Sequence, residues 1–231
     1  ISGSHPVVTN PRKVALGCSP SAAALSARLL ARPGACTLAI IGGGVQGVSH
    51  AHLMPLVRDI REMRLWSRTR ESAERVSAAV AVPSRVFDHA EEAVRDADII
   101  CLCTTAQEPP VLADWIAPGT HVTSVGYHPP GGELDPALIP RGRLFVETRD
   151  AFAPPPVGCW ELQGLDPTTG TELGEVILGV LPGRLSADDI TIYKSMGHAM
   201  EDVVTATLVY QAALVEDAGT PFVIPCIRPL F

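Results

Sequence analysis

From residue 34 onward the apolar positions fall into short unbroken runs separated by stretches of helical period. "CTLAIIG", "DADIICLCT" and "HVTSVG" are almost continuously apolar, the signature of parallel strands buried on both faces. The intervening "VQGVSHAHLMPLVR", "TRESAERVSAAVA" and "HAEEAVRDA" read as helices. "EMRLW", "SRVFD" and "RLFVET" read as further strands, and "VLADWIA" and "DPALIPR" as short helical pieces. Strands and helices that alternate across short connections require right-handed crossovers, hence a parallel sheet covered on both faces. The expected fold class is therefore α/β, a Rossmann-type doubly wound parallel sheet.

The two ends break this rhythm. Residues 1–20 read as irregular, and "SAAALSARLLARPG" as a helix stopped by Pro33 and Gly34. Residues 150–170, "DAFAPPPVGCWELQGLDPTTG", carry four prolines and no period, so a long loop or lid is expected there. "ELGEVILG" is a helix, with Glu172 and Glu175 read as solvated together with Glu201 and Asp202. A single long helix is expected from Ile190 to about Ala218, with Tyr193, Met196, Met200, Val203, Val204, Leu208 and Tyr210 near one stripe.

Composition narrows the function classes. A net charge of −7, with no basic cluster beyond "RLWSRTRESAER", argues against nucleic acid as a partner. No apolar run approaches the roughly 18 residues of a membrane span, and no signal-peptide pattern opens the chain. The six cysteines, at 18, 36, 101, 103, 159 and 226, form no CxxC pair, which fits reduced thiols and a cytoplasmic location. Cys101 and Cys103 are expected on one side of a strand as core residues. His50 and His52 point to different helix faces, and no HExxH spacing occurs, so no metal site is expected. The first residue is Ile1 rather than Met, so the natural N-terminus is expected to lie elsewhere.

Candidate chemistry concentrates in "LAIIGGGVQGVSH". Gly42, Gly44 and Gly47 form a GxGxxG between a strand and a helix, the context in which that motif binds a dinucleotide. Gly42 serves the tight turn, Gly44 the approach of a pyrophosphate and Gly47 the close packing of helix on strand, with the helix N-terminus facing the phosphate charge. The second strand ends in Ser67, Arg68 and Thr69, where an NAD enzyme presents an acid to the ribose. An arginine flanked by hydroxyls suits a 2′-phosphate, so NADP(H) is favoured over NAD(H), the alternative being a solvated arginine at a helix start.

His128, in "HVTSVGYHPPGGELD", follows the fifth strand on the side of the sheet where a nicotinamide lies. It is either a proton partner for hydride transfer or an ordinary loop histidine. Lys194 is a contact for a phosphate or a substrate carboxylate, or a surface lysine, with the surface reading favoured. Ser195 reads as a cap or cofactor contact rather than a nucleophile, since no GxSxG elbow is present.

Taken together, "LAIIGGGVQGVSHAH", "RLWSRTRESAERV", "EEAVRDADIICLCTTAQEPPVLADWIAPGTHVTSVG", "ELGEVILGVLPGR" and "ITIYKSMGHAMEDVVTATLVY" resemble the ornithine cyclodeaminase/mu-crystallin family from about Ser21 to Tyr210. The resemblance implies an NAD(P)(H)-binding Rossmann domain with a second, substrate-binding domain, usually in a homodimer. On that pattern residues 1–33 are a remnant of the substrate and dimerisation domain with its connecting helix. Residues 34–188 are the dinucleotide-binding domain including the 150–170 lid, and 189–231 a C-terminal helix returning to the substrate domain. Cofactor roles fall to Gly42, Gly44, Val45, Gln46, Ser67, Arg68, Thr69, Thr104, Thr105, Val125 and Met196, and a substrate-binding role to Arg12.

Most of the family's N-terminal substrate domain has no counterpart in residues 1–231. The cyclodeaminases of the family carry an aspartate after the fifth strand, and alignment on "VG…P…EL" places His128 there. The activity implied is reduction of the C=N bond of a small imino acid, or the reverse oxidation of an amino acid. Its rivals are an ornithine cyclodeaminase-type lyase with recycled NAD, and a non-catalytic protein that holds NADPH and a small ligand.

Overall fold

The computed structural model describes residues 5–6, 11–218 and 221–222, with side chains over 18–218. In chain order the elements are β1 (His5–Pro6), α1 (Pro11–Leu30), β2 (Thr37–Ile41), α2 (Val45–Val57), β3 (Glu62–Trp66), α3 (Arg70–Ala78), β4 (Ser84–Val86) and α4 (Ala90–Val94). They continue with β5 (Ile99–Leu102), β6 (His121–Ser124), β7 (Arg143–Val146), β8 (Gly170–Glu172), α5 (Leu173–Ile177), β9 (Thr191–Lys194), α6 (Ala199–Val215) and β10 (Pro221–Phe222).

The chain divides into two compact units, Ser19–Gly197 and the pair of segments Ile1–Cys18 and His198–Phe231. The larger unit is an eight-stranded sheet in the order β4-β3-β2-β5-β6-β9-β7-β8. Every pairing in it is parallel, so the expected α/β class holds. The order reverses between β2 and β5, which opens a crevice at the carboxyl ends of those two strands, the place where such sheets bind ligands.

Strand alternation sends Leu38 and Ile40 to one face and Ala39 and Ile41 to the other, all of them buried. On the first face Ala23, Ala24, Ala27 and Ala31 pack with Leu38, Ile40, Met63, Leu65 and Cys101. Small side chains on that helix allow it to lie close to the sheet. On the second face Ile41, Ile100, Leu102 and Val122 pack with Ala90, Ala93, Val94 and Leu138. Each fully buried Leu, Ile or Val contributes about 1.5–3 kcal/mol relative to exposure, which makes this double-sided sheet the stabilising centre of the unit. Cys101 and Cys103 face the same layer, and burial pushes the Cys101 thiol up to about 12 and the Cys103 thiol well above its ordinary value. Both are core residues, as expected.

Two expectations change. Helix α1 starts at Pro11, inside the stretch read as irregular, with Pro20 within it. The helix expected from Ile190 is instead strand β9, fully buried between β6 and β7, and the helix proper starts only at Ala199. "TIYK" is rich in β-branched and aromatic residues, a strand preference that the apolar stripe running on into the helix obscured. Gly197, with φ +73°, breaks the chain between the two. Residues 150–169 hold no strand or α-helix, in keeping with the loop expected there; short 3-10 turns at 149–152, 160–162 and 167–169 and the buried Ala151, Phe152, Cys159 and Leu162 pack it against the core.

In the smaller unit β1 and β10 pair antiparallel, His5 opposite Phe222 and Pro6 opposite Pro221. Helix α6 exposes Met200, Val203, Val204 and Leu208. No helix among the described residues is long and apolar enough to cross a membrane.

Candidate functional site

The glycine turn follows β2 directly. Gly42 has φ +124°, a conformation few side chains tolerate, and a Cβ there would stand 2.3 Å from the carbonyl oxygen of Cys103. A Cβ on Gly47 would stand 2.0 Å from the carbonyl oxygen of Gly42, so this glycine lets α2 close onto the turn. Gly44 is different: a Cβ there meets no atom within 4 Å. Its backbone is at the N-cap of α2 and a side chain there would face open space, a geometry in which a helix N-terminus and its N–H groups suit an anion. Val45 is exposed beside it, and Gln46 carries a buried Oε1 with no partner among the described residues.

Around this turn lies a cleft of about 380 Å3 lined by Gly42, Gly43, Gly44, Ser67, Arg68 and Thr69, and on its far wall by Thr104 and Thr105. The Gly43 N–H donates to Ser67 Oγ at 3.2 Å, which ties the end of β3 to the glycine turn. Sequence reasoning missed Ser72 and Arg75 of α3, which line the same cleft. Their signal was the three-residue spacing that puts both on the helix face above Thr69.

The carboxyl ends of β5, β6 and β9 form the other side of the crevice, and buried charge organises it. Glu133 is 1% exposed and accepts five hydrogen bonds. Its donors are the Thr104 N–H and hydroxyl at 2.6 and 2.7 Å, the Ser124 hydroxyl and Val125 N–H at 3.0 Å, and the Gly126 N–H at 2.6 Å. One carboxylate thus pins the backbone after β5 to the backbone after β6. Lys194, at the end of β9, donates to Ser124 Oγ at 3.1 Å, the Gly126 carbonyl at 2.7 Å and Glu161 at 2.9 Å. Lys194 has no exposed surface, so the favoured reading of it as a surface lysine is overturned. The end of a strand buried in mid-sheet leaves the ammonium no path to water, and a carboxylate from residues 160–162 replaces it.

Glu147 does similar work after β7. It accepts from the Tyr193 hydroxyl at 3.0 Å, the Ser195 hydroxyl and the Met196 N–H at 2.7 Å. Ser195 is therefore bound to a structural carboxylate, and Met196 is held beside the core layer that contains Leu102 and Val122. Nor are Glu172 and Glu175 simply solvated: they form the capping box of α5, and Glu175 accepts from Arg149 at 2.8 Å.

His128 sits in the loop after β6, exposed, its backbone bridged to Gly131. The structure brings it to the crevice side of the sheet but not into the cleft at the glycine turn. Arg12 falls in α1, and its side chain lies outside the described residues. A larger hollow of about 1010 Å3, lined by Ile139, Leu144, Trp160 and Leu165, lies on the β7 side. It contains neither the glycine turn nor any of the sequence-predicted site residues. No cluster of potential metal ligands occurs among the described residues.

Comparison with known proteins agrees with this geometry. Residues 14–217 match the model of the Ornithine cyclodeaminase/mu-crystallin family. The chain is 40% identical over 190 residues to the ketimine reductase mu-crystallin of Mus musculus, covering 82% of this chain and 59% of that protein. It is 34% identical over 209 residues to the Delta(1)-pyrroline-2-carboxylate reductase of Bacillus cereus, covering 84% and 63%. The solved structure of the Thermococcus litoralis Delta(1)-pyrroline-2-carboxylate reductase with NADH and L-proline superposes with a TM-score of 0.83 at 28% identity, over 91% of this chain and 68% of that one. The chain thus spans about three fifths of the length of the curated relatives it matches.

Proposed function

Because the chain belongs to the ornithine cyclodeaminase/mu-crystallin family, we propose that it is the cofactor-binding part of an NAD(P)H-dependent reductase of a small cyclic α-imino acid. The observation that carries this reading is the cleft at the strand-order reversal. Its Gly44 leaves room for a pyrophosphate, and its Arg68 is exposed and has no carboxylate partner among the described residues. An open cradle at a helix N-terminus suits the diphosphate, and an unpaired guanidinium flanked by Ser67 and Thr69 suits the 2′-phosphate of NADP(H). NADP(H) is accordingly preferred over NAD(H).

When bound, the reduced nicotinamide supplies the hydride for the imine carbon. The residues of this chain bind and orient. Gly42, Gly44, Val45 and Gln46 hold the diphosphate, and Ser67, Arg68 and Thr69 the adenosine ribose phosphate. Thr104, Thr105, Val125 and Met196 border the nicotinamide. His128, or a water it holds, manages the proton at the imine nitrogen. Its exposed ring makes no hydrogen bond with the described residues, which leaves both nitrogens open to a substrate. Arg12 is assigned to the substrate carboxylate. The unit containing α6 is assigned to the remnant of the substrate and dimerisation domain, and the exposed apolar side chains of α6 suit a homodimer.

Residue chemistry at position 128 separates reduction from cyclodeamination. The lyase needs a carboxylate after the fifth strand of the nucleotide-binding order, and here that place holds an imidazole. Oxidation of NADPH in the presence of a five-membered cyclic imino acid, followed at 340 nm, tests the reading. Ammonia and proline from ornithine without net NADPH consumption overturn it. For the cofactor, Arg68→Ala is expected to weaken NADPH about tenfold or more while leaving NADH within about twofold, the size of one charge-assisted hydrogen bond. Equal losses for both cofactors remove the 2′-phosphate argument.

A further inference from the structure

The arginines near the end of β3 differ in how their charge is matched. Arg64 is held by Glu62 at 3.0 Å, and Arg70 by Glu74 at 3.0 Å and by Asp88. Arg68 has no partner among the described residues. Among the described residues Arg75 donates only to a neutral group, the Ser72 hydroxyl, at 2.8 Å. That hydroxyl in turn lies 2.7 Å from Thr69 Oγ1. Glu71 stands four residues before Arg75, the spacing of a helical ion pair, yet the guanidinium turns to Ser72 and lines the cleft instead. Among the described residues two cations therefore face the glycine turn without a carboxylate between them: of the two acids of α3, Glu74 is engaged by Arg70, and Glu71 pairs with neither Arg68 nor Arg75.

We infer that Arg75 is the second cation of the 2′-phosphate subsite, held toward the cleft by Ser72 and Thr69, and that the two arginines together select a doubly charged phosphate ester. This rests on the reading of the cleft as an NADPH site and deepens it. A phosphate monoester carries about −1.5 to −2 near neutral pH. One guanidinium matches half of that charge; two match it fully and supply donors to more of its oxygens. A ligand with a free 2′-hydroxyl has no charge for Arg75 to meet. Arg75 thus contributes to the choice between cofactors and not to holding the part they share.

Direct titration of the full chain with NADPH, NADH, adenosine 2′,5′-bisphosphate and 5′-AMP tests this without requiring turnover. Arg75→Ala is expected to weaken NADPH and the bisphosphate about tenfold, while NADH and 5′-AMP stay within about twofold. Arg75→Lys, which keeps the charge, is expected to restore most of the loss. Since the side chain is exposed, the variant leaves the core untouched. Wild-type chain that binds NADH as tightly as NADPH overturns the underlying reading along with this one. A wild-type preference for NADPH that survives Arg75→Ala unchanged overturns only the role of Arg75, as does an equal loss for phosphorylated and unphosphorylated ligands.

Discussion

The two walls of the crevice use charge in opposite ways. On the β2–β3 wall Arg68 and Arg75 are exposed and unmatched by any carboxylate among the described residues, and Gly44 of the turn beside them faces open space. On the β5–β6–β9 wall the charges of Glu133, Lys194 and Glu161 are buried and satisfied within the protein. The first wall presents its charge to the cleft. The second spends its charge on fixing backbone, since Glu133 grips the N–H groups of Thr104, Val125 and Gly126 while Lys194 grips the Gly126 carbonyl. On the proposed reading, recognition and positioning are thus separated in space, one wall supplying affinity and the other geometry.

The sharpest break of this contrast is a charge removal on each side. Lys194→Met leaves the Glu161 carboxylate, 4% exposed, without its cation. Breaking a buried pair from one side costs about 3–5 kcal/mol, because the surviving charge stays desolvated. Urea unfolding is expected to show that loss for Lys194→Met and a change within about 0.5 kcal/mol for Arg68→Ala. A Lys194→Met chain as stable as its parent would mean that the second wall is not organised by this pair.

The same contrast explains what the sequence made legible. The glycine turn and Ser67-Arg68-Thr69 are contiguous motifs with strand and helix on either side, so these residues of the first wall, though not Ser72 and Arg75, were singled out from the sequence. The second wall is assembled from positions 104, 124–126, 133, 161 and 194, which the fold alone brings together. Lys194 was read as exposed because "TIYKSMGHAMED" shows a helical apolar stripe, and only its place as a central strand reveals that its ammonium is enclosed. Glu133 was visible merely as an alignment landmark. Arg75 fell between the two cases: it is contiguous with the motif, but whether it turned to Glu71 or to the cleft is a rotamer choice that spacing does not settle.

Acid probes two buried histidines of the same unit, one behind the glycine turn and one at the opposite end of the sheet. His50, in α2 behind the glycine turn, is held down to about 4 by burial, and its Nδ1 lies 2.7 Å from the Gln46 carbonyl. His121, at the start of β6, is held down to about 3 by burial and by Arg184, with Ser26 and Thr191 hydroxyls at its two nitrogens. Both pKa values are lower folded than unfolded, so the unfolded chain binds more protons between about 3 and 6.5. Stability is therefore full above about 6.5 and falls as pH drops below it, by about 2 kcal/mol for each histidine at pH 5, levelling only below the folded values. Replacing His121 by Gln is expected to flatten the dependence by about one proton in urea titrations between pH 7 and 5. No flattening would mean that His121 is already charged in the fold.

The smallest stability effect is the most specific test of the first wall. Gly44 has φ −82°, which alanine adopts without strain, and its added methyl meets no protein atom within 4 Å. Gly44→Ala is therefore expected to change unfolding free energy by no more than about 0.5 kcal/mol. The methyl would nevertheless occupy the space through which a pyrophosphate approaches the helix N-terminus, so NADPH and NADH should both weaken at least about tenfold. Arg68→Ala and Arg75→Ala discriminate between cofactors; Gly44→Ala should not, because both cofactors share the diphosphate. A Gly44→Ala chain that keeps its cofactor affinity would show that the open space beside this glycine is not where the diphosphate sits, and would remove the cradle from the first wall while leaving its arginines in place.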